Sequence, residues 1–217
     1  MDKLLHKKTR YCDLGAWIGP TVLFAANRCE HVTCVEPDPI ARKRLKTNLS
    51  LNNITNVQIF NQAVSHTNGQ QRLASPRGKL GDSMATLLRQ DPSLPYKTIQ
   101  TITWQNFITK YRSITSTSGI FDFIKIDIEG AEFTLIPTME EYLKRHTPTL
   151  YLSLHPHLLQ PNNRKKSVQK LFHALTMYKH CFTPDLIEIN TSNLEISPQN
   201  PYRGTFLFTN NTQDILK

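Results

Sequence analysis

Two carboxylates, a lysine and a histidine set the chemistry that this chain can support. Lys125, Asp127 and Glu129 fall in the run Phe121-Asp-Phe-Ile-Lys-Ile-Asp-Ile-Glu129, and His155 closes a later apolar run. Asp127 or Glu129 could position an acceptor hydroxyl or take its proton. Histidine suits general-base work near neutral pH, and His155 is better placed for it than His157, which reads as a surface residue. Lys125 shares strand parity with Asp127, so the two face the same side if the strand is regular to that point. A lysine inside an apolar strand needs a partner, and Asp127 or Asp13 is the natural one. Two readings stay open: a buried pair that only orients the site, or an acid that handles the acceptor. Asp127, Glu129 and His155 offer oxygen and imidazole ligands that would suit a divalent ion, but their spacing does not demand one, and no metal is expected.

A second constellation lies near the start of the chain, at Asp13-Leu14-Gly15-Ala16-Trp17-Ile18-Gly19-Pro20. The two glycines permit a tight turn and a close approach of ligand to backbone. The spacing is not the G-x-G-x-x-G pattern that seats a pyrophosphate on a helix N-terminus. An acid precedes the first glycine and a bulky Trp17 sits inside the loop. A carboxylate there repels phosphate and attracts a cation such as an amino group or a sulfonium. Glu36 follows 21 residues after Gly15 and is succeeded by Pro37. An acid at that distance can accept both hydroxyls of an adenosine ribose. Together these features favour S-adenosylmethionine over a dinucleotide.

The elements that must position these groups alternate between strand and helix. Tyr11–Leu14 and His31–Glu36 read as buried strands. Each is followed by a helix opened by a proline, Pro20 and Pro39, with Asp38 as an N-cap. Val57–Val64 reads as a third strand. Residues 70–95 are irregular, with candidate pieces at Arg72-Leu73 and Ala85–Leu88, and a loop of that length is more often functional than idle. Thr98–Thr103 reads as a more exposed strand and Trp104–Tyr111 as a short helix. Phe121–Ile128 is the strongest strand, followed by a helix that Pro137 interrupts. Thr149–His155 is another strand, and Val168, Leu171, Phe172, Leu175 and Tyr178 form a helical stripe. Leu186–Ile189 and Thr205–Phe208 read as a terminal antiparallel pair. The sum is an α/β fold with a mostly parallel sheet, in which ligands bind beyond the carboxyl ends of the strands.

The chain has 217 residues, 39% of them hydrophobic, which fits one domain, 1–217, with a basic segment over 1–10. The formal net charge is +9. That hints at acidic partners, but the basic residues are scattered, as on solvated helix faces. The four cysteines show no C-x-x-C spacing, so reduced thiols and a cytoplasmic setting are expected. The first ten residues lack the apolar core of a secretory signal, and no run approaches the length of a membrane span.

These stretches resemble the FkbM family, S-adenosylmethionine-dependent methyltransferases with a Rossmann-like class I fold. The resemblance rests on Asp13–Pro20, Val35-Glu36-Pro37-Asp38-Pro39, Asn48 with Asn52, Asn61-Gln62-Ala63-Val64, Phe123–Glu132 and Leu154-His155-Pro156. The most specific is Lys125-Ile-Asp-Ile-Glu-Gly-Ala-Glu132. It implies that Asp13, Gly15, Ala16 and Gly19, with Trp17 in the same loop, line the methionine part of the cofactor. It implies that Glu36, followed by Pro37, holds the ribose, and that residues near Asn61 and Ala63 flank the adenine. Family members methylate hydroxyl oxygens, commonly on sugars or polyketide-like natural products. The chain departs from the family at Thr103-Trp104-Gln105, where an acid is usual, and at Pro137, where a glycine is common. Little sequence precedes the first strand, so an N-terminal lid is not expected.

The resulting expectation is an O-methyltransferase acting on a sugar, glycan or small natural product. A nucleic-acid or protein methyltransferase is the alternative suggested by charge. Against it, no Asn/Asp-Pro-Pro-Tyr-type turn follows the central strand, since Asn200-Pro201-Tyr202 lies elsewhere, and no Pro-Cys nucleophile is present. A non-catalytic binding module of the same fold is the third reading.

Overall fold

A computed structural model describes residues 2–89, 91–115, 117–190 and 204–212. The first half-sheet is built from β1 (Arg10–Leu14), β2 (His31–Val35) and β3 (Val57–Phe60), with α1 (Pro20–Ala26) and α2 (Pro39–Leu51) between them. The other half contains β7 (Phe123–Ile126), β8 (Thr149–Leu154), β9 (His180–Phe182) and β10 (Gly204–Thr209). A separate three-stranded sheet holds β4 (Ala63–Ser65), β5 (Gly69–Ala74) and β6 (Tyr96–Thr103). The remaining helices are α3 (Trp104–Thr115), α4 (Glu132–Leu135), α5 (Glu140–His146) and α6 (Pro161–His173).

The main sheet runs β3-β2-β1-β7-β8-β10-β9. All pairings are parallel except those of β10, which is antiparallel to β8 and β9. This is the expected class I methyltransferase arrangement. The winding reverses between β1 and β7, so their carboxyl ends flank the crevice where such sheets bind ligands.

The strands are apolar on both faces because helices cover both. Cys12, Leu14, Ile124, Ile126, Leu150 and Leu152 pack with Phe107 of α3, Leu143 of α5 and Leu171 of α6. On the opposite face, Tyr11, Val32, Cys34 and Phe123 pack with Val22 and Ala25 of α1 and Leu45 of α2. Asp38 caps α2 as its sequence suggests, accepting from Ile40 N at 2.7 Å and Ala41 N at 3.2 Å.

Several expectations need revision. The run 57–64 is two strands: Asn61 and Gln62 leave the main sheet, and Ala63–Ser65 pairs with β6 instead. Gly69–Ala74 is a regular strand, although its outward face is polar, because β6 supplies its hydrogen-bonding partner. β6 begins two residues earlier than expected, at Tyr96, and α3 continues to Thr115. The strongest strand ends at Ile126, and Glu129 takes a left-handed φ of 49° that no strand permits. Pro137 breaks the following helix into α4, a 3₁₀ turn at Ile136–Thr138, and α5, as expected. The stripe ending at Tyr178 is helical only to His173, and Leu175 and Tyr178 remain buried in the turns beyond. Leu186–Ile189 is not the partner of β10. That partner is His180–Phe182, whose Cys181 and Phe182 are buried, whereas Ile187 is 63% exposed and Glu188 makes only an isolated bridge to Phe182. Asn200-Pro201-Tyr202 lies outside the described residues.

The register places Asp13 directly beside Lys125 across β1 and β7. Both are buried, and Lys125 Nζ lies 3.0 Å from Asp13 Oδ1. Lys125 Nζ also donates to Gly15 O at 3.0 Å. Tyr11 and Thr21 hydroxyls donate to the other Asp13 oxygen. Removing one member of a buried ion pair strands the other charge and costs about 3–5 kcal/mol, whereas removing both costs less than the sum. Urea unfolding of Lys125→Met should show a loss of that order, partly recovered in the Asp13→Asn/Lys125→Met double variant. Additive losses would show that the pair is not coupled.

Candidate active site

The Gly15–Gly19 turn joins β1 to α1 at the switch point. Gly15 is required there by packing: with φ of 86°, a Cβ would lie 1.9 Å from the Asp127 carbonyl oxygen. Gly19, at φ of 96°, leaves room for Leu45 and opens α1 ahead of Pro20. The turn's amides are used internally. Gly15 N and Ala16 N both donate to Val35 O, Gly19 N donates to Ala16 O, and Trp17 N donates to Glu36 Oε2 at 2.7 Å. A pyrophosphate cradle needs a row of amides pointing at the ligand. These amides are committed elsewhere, so the turn suits a nucleoside without a diphosphate.

A cleft open to solvent lies over this turn. Gly15, Trp17, Glu36, Pro37 and Ala63 line it, together with apolar Val35, Val64, Leu73 and Leu87. Glu36 is 6% exposed, and its carboxylate accepts Trp17 N on one oxygen and Asp38 N on the other. Each oxygen keeps a further lone pair for a ligand hydroxyl. Burial pushes the Glu36 carboxyl up to about 7, against the opposing pull of the Asp38 and Trp17 amides. A largely apolar slot with Glu36 at the end of β2 fits the adenosine part of S-adenosylmethionine.

A second, more polar cavity adjoins the first. Gly15, Trp17, Ser83, Asp127 and Glu129 belong to both. Ala16, Thr21, Lys125, Ser153, His155 and Thr205 line only the second. His155 Nε2 lies 3.7 Å from Asp127 Oδ1 and 3.6 Å from Glu129 Oε1. Its other nitrogen, Nδ1, is 3.2 Å from Oε1 of Glu132, which also accepts the His155 amide at 2.7 Å. Burial opposes protonation of His155, but Glu132, Glu129 and Asp127 together outweigh it and raise its pKa. Lys125 follows the same pattern: burial lowers it, and the carboxylates of Asp13 and Asp127 more than compensate.

The structure thus gathers Gly15, Trp17, Glu36, Pro37 and Ala63 around one cavity, and Ala16, Lys125, Asp127, Glu129 and His155 around the next. Three predicted residues line neither. Gly19 packs under α2, and Asn61 lies where the chain crosses between sheets. Asp13 is fully buried beneath the turn, beside Lys125. Sequence reasoning missed Thr21, Ser153 and Thr205. It also missed the individual residues of the 75–95 segment that cover the first cavity: Asp82, Ser83, Ala85 and Leu87. Only that segment's unusual length marked it. It is tied down by Trp17 Nε1 to Gly81 O at 3.0 Å, Gly81 N to Asp38 Oδ2 at 3.0 Å, and Thr86 Oγ1 to Glu129 O at 2.6 Å.

No curated protein matches the chain in sequence. Among solved structures, the chain is similar to an FkbM methyltransferase from Methylobacillus flagellatus KT, with 16% identity and a TM-score of 0.56. The match covers 94% of this chain and 44% of that one, so the chain spans less than half of that relative's length. It is also similar to SMU.1697c, a putative methyltransferase from Streptococcus mutans in complex with SAH, with 14% identity, a TM-score of 0.51 and coverage of 96% and 94%. A third likeness is to an rRNA methylase from Streptococcus thermophilus, with 10% identity, a TM-score of 0.50 and coverage of 95% and 87%. At these identities the likenesses establish the fold. The sequence profile of the Methyltransferase FkbM domain matches residues 13–180, most of the chain, so this protein belongs to the FkbM family and carries its S-adenosylmethionine-dependent methyltransferase domain.

Proposed function

We propose that the protein methylates a hydroxyl oxygen of a neutral, polar acceptor such as a sugar, a glycan or a small natural product. The observation that carries this reading is the shared wall of the two cavities, where Asp127 and Glu129 stand between a largely apolar slot and a polar chamber. When bound, S-adenosylmethionine supplies an electrophilic methyl group on a sulfonium leaving group. Glu36 would hold the ribose hydroxyls, Val35, Pro37 and Ala63 would enclose the base, and the Gly15–Trp17 turn would seat the methionine part. Asp127 and Glu129 hold the acceptor hydroxyl and take its proton. Lys125 and His155 keep those carboxylates in place, since both carry raised pKa values and so remain cations over a wider pH range. Much of the rate comes from alignment of the two reactants.

The chamber wall is acidic, which disfavours a polyanion beside it and supports a neutral acceptor over nucleic acid, despite the net charge of +9. All four cysteines are buried free thiols, which supports a reducing, cytoplasmic setting. Among the described residues, no helix is long and apolar enough to cross a membrane.

Two measurements test the assignment. Glu36 should be ionised above its raised pKa of about 7 and protonated below it. Its carboxylate accepts ribose hydroxyls best when ionised, so calorimetric affinity for S-adenosylmethionine should hold at higher pH and fall as pH drops through about 7. Glu36→Gln should weaken binding at alkaline pH and remove that step. A pH-independent affinity in the wild type would count against the ribose assignment, and absence of binding would leave a non-catalytic module. In a screen of hydroxylated acceptors read by S-adenosylhomocysteine release, Asp127→Asn and Glu129→Gln should each lower turnover by about 10²–10⁴-fold. Cofactor affinity should change far less. Full turnover in both variants would remove the carboxylates from the reaction, and salt-sensitive RNA binding with RNA methylation would replace the acceptor class.

A further inference from the structure

The cluster of Asp127, Glu129 and His155 has a feature that methyl transfer from a sulfonium does not require. One donor atom from each of the three residues lies within 4.8 Å of the others. Their side chains are reachable from the polar chamber, at 38%, 14% and 12% exposure. Glu132 stands behind them and is fully buried. One of its oxygens accepts Gly130 N at 2.8 Å, and the other takes both the amide and Nδ1 of His155. A buried carboxylate needs a charged or donor partner, and His155 is the only ionisable side chain recorded within ion-pair distance of Glu132 among the described residues. Donation of Nδ1–H to Glu132 fixes the imidazole tautomer and leaves Nε2 as the outward atom, directed at Asp127 Oδ1 and Glu129 Oε1. A carboxylate behind a histidine whose second nitrogen faces further oxygen donors is the arrangement that orients metal-ligating histidines.

Among the described residues, the carboxylates of Asp13, Asp127, Glu129 and Glu132 are linked through Lys125 and His155. Lys125 is engaged with Asp13 at 3.0 Å and reaches only the far oxygen of Asp127, Oδ2, at 3.9 Å. Asp127 Oδ1 is directed toward His155 instead.

We propose that Asp127 Oδ1, Glu129 Oε1 and His155 Nε2 bind a divalent cation with a preference for oxygen and imidazole ligands, of which Mn²⁺ is representative. Neighbouring ligand atoms around a six-coordinate ion at about 2.1 Å lie about 3 Å apart. The observed 3.6 and 3.7 Å separations exceed that value by less than about 1 Å. On binding, the ion takes the place of the Nε2 proton. Three protein ligands on one side leave the chamber side for water or for hydroxyls of an acceptor. That last consequence rests on the methyl-transfer reading; the binding itself does not.

The test is titration of the metal-stripped protein with Mn²⁺, followed by electron paramagnetic resonance of the free ion, without S-adenosylmethionine. Binding should saturate at one ion per chain. Asp127→Asn and His155→Ala should each weaken it at least about tenfold, and Glu132→Gln should weaken it by about 10–100-fold. Asp127 is the most exposed of the ligands, so its variant keeps the test valid if the histidine or Glu132 variant fails to fold, as circular dichroism would reveal. Absence of saturable binding, or unchanged binding in folded Asp127→Asn, would overturn the proposal. Cofactor calorimetry on the same metal-stripped sample separates the two ideas. Cofactor binding without Mn²⁺ binding removes only the metal, and Mn²⁺ binding without cofactor binding removes only the transferase reading.

Discussion

An ammonium and a carboxylate buried side by side hold the switch point of this sheet together. Asp13 and Lys125 come from strands far apart in sequence that meet only because the chain reverses its winding between them. In a low-dielectric interior neither charge is tolerable alone. Their contact therefore specifies more than stability. Lys125 also binds Gly15 O, so the same ammonium shapes the turn. Asp13 also accepts from Thr21, so the same carboxylate locates the first turn of α1. The register of two strands, the path of the turn and the start of a helix are fixed by a single ion pair.

Above that pair, two residues carry backbone strain on opposite sides of the crevice. Trp17 and Glu129 both adopt left-handed φ values of 49°, costly for side chains of their size. Each is held by bonds that its neighbours would otherwise lack. The Trp17 amide satisfies Glu36, its indole satisfies Gly81, and the Glu129 carbonyl receives the buried Thr86 hydroxyl. The strain is thus compensated through the 75–95 segment, which covers the first cavity. Cover, turn and acid wall form one hydrogen-bonded unit, so a change in any of them should be felt at the others.

The parts of this arrangement that were legible in sequence are those set by local chemistry. Prolines at helix starts, Asp38 as a cap, Pro137 as a breaker and doubly buried strands all act through nearest neighbours, and they appear where the sequence places them. Glu36 was legible because it follows a glycine turn at a fixed interval. What failed was set by distant partners. Gly69–Ala74 becomes a strand only because β6 lies beside it, and Asn61 leaves the cavity because the chain crosses to the second sheet there. Asp13 was legible as one of two natural partners for Lys125, but the choice between Asp13 and Asp127 is made by the β1–β7 register, which sets Asp13 directly beside the lysine. Ser153 and Thr205 face the chamber through a β8–β10 pairing whose sequence separation left no local trace.

The acid wall also bears on why the chamber would accelerate transfer rather than merely bind reactants. Only interactions stronger in the transition state than in the ground state raise the rate. A carboxylate close to a sulfonium stabilises the reactants and loses that attraction as positive charge leaves sulfur. A carboxylate close to the acceptor oxygen gains attraction, because the same charge develops on the hydroxyl that is losing its proton. Asp127 and Glu129 border both cavities, so their net effect depends on which side their oxygens favour. His155 directs one oxygen of each toward the chamber, and Lys125 draws the remaining Asp127 oxygen toward the strands. On the proposed reaction, His155 would bias the acids toward the acceptor side, where negative charge lowers the barrier, and Lys125 would hold the remaining Asp127 oxygen back, so both would act as positioning residues.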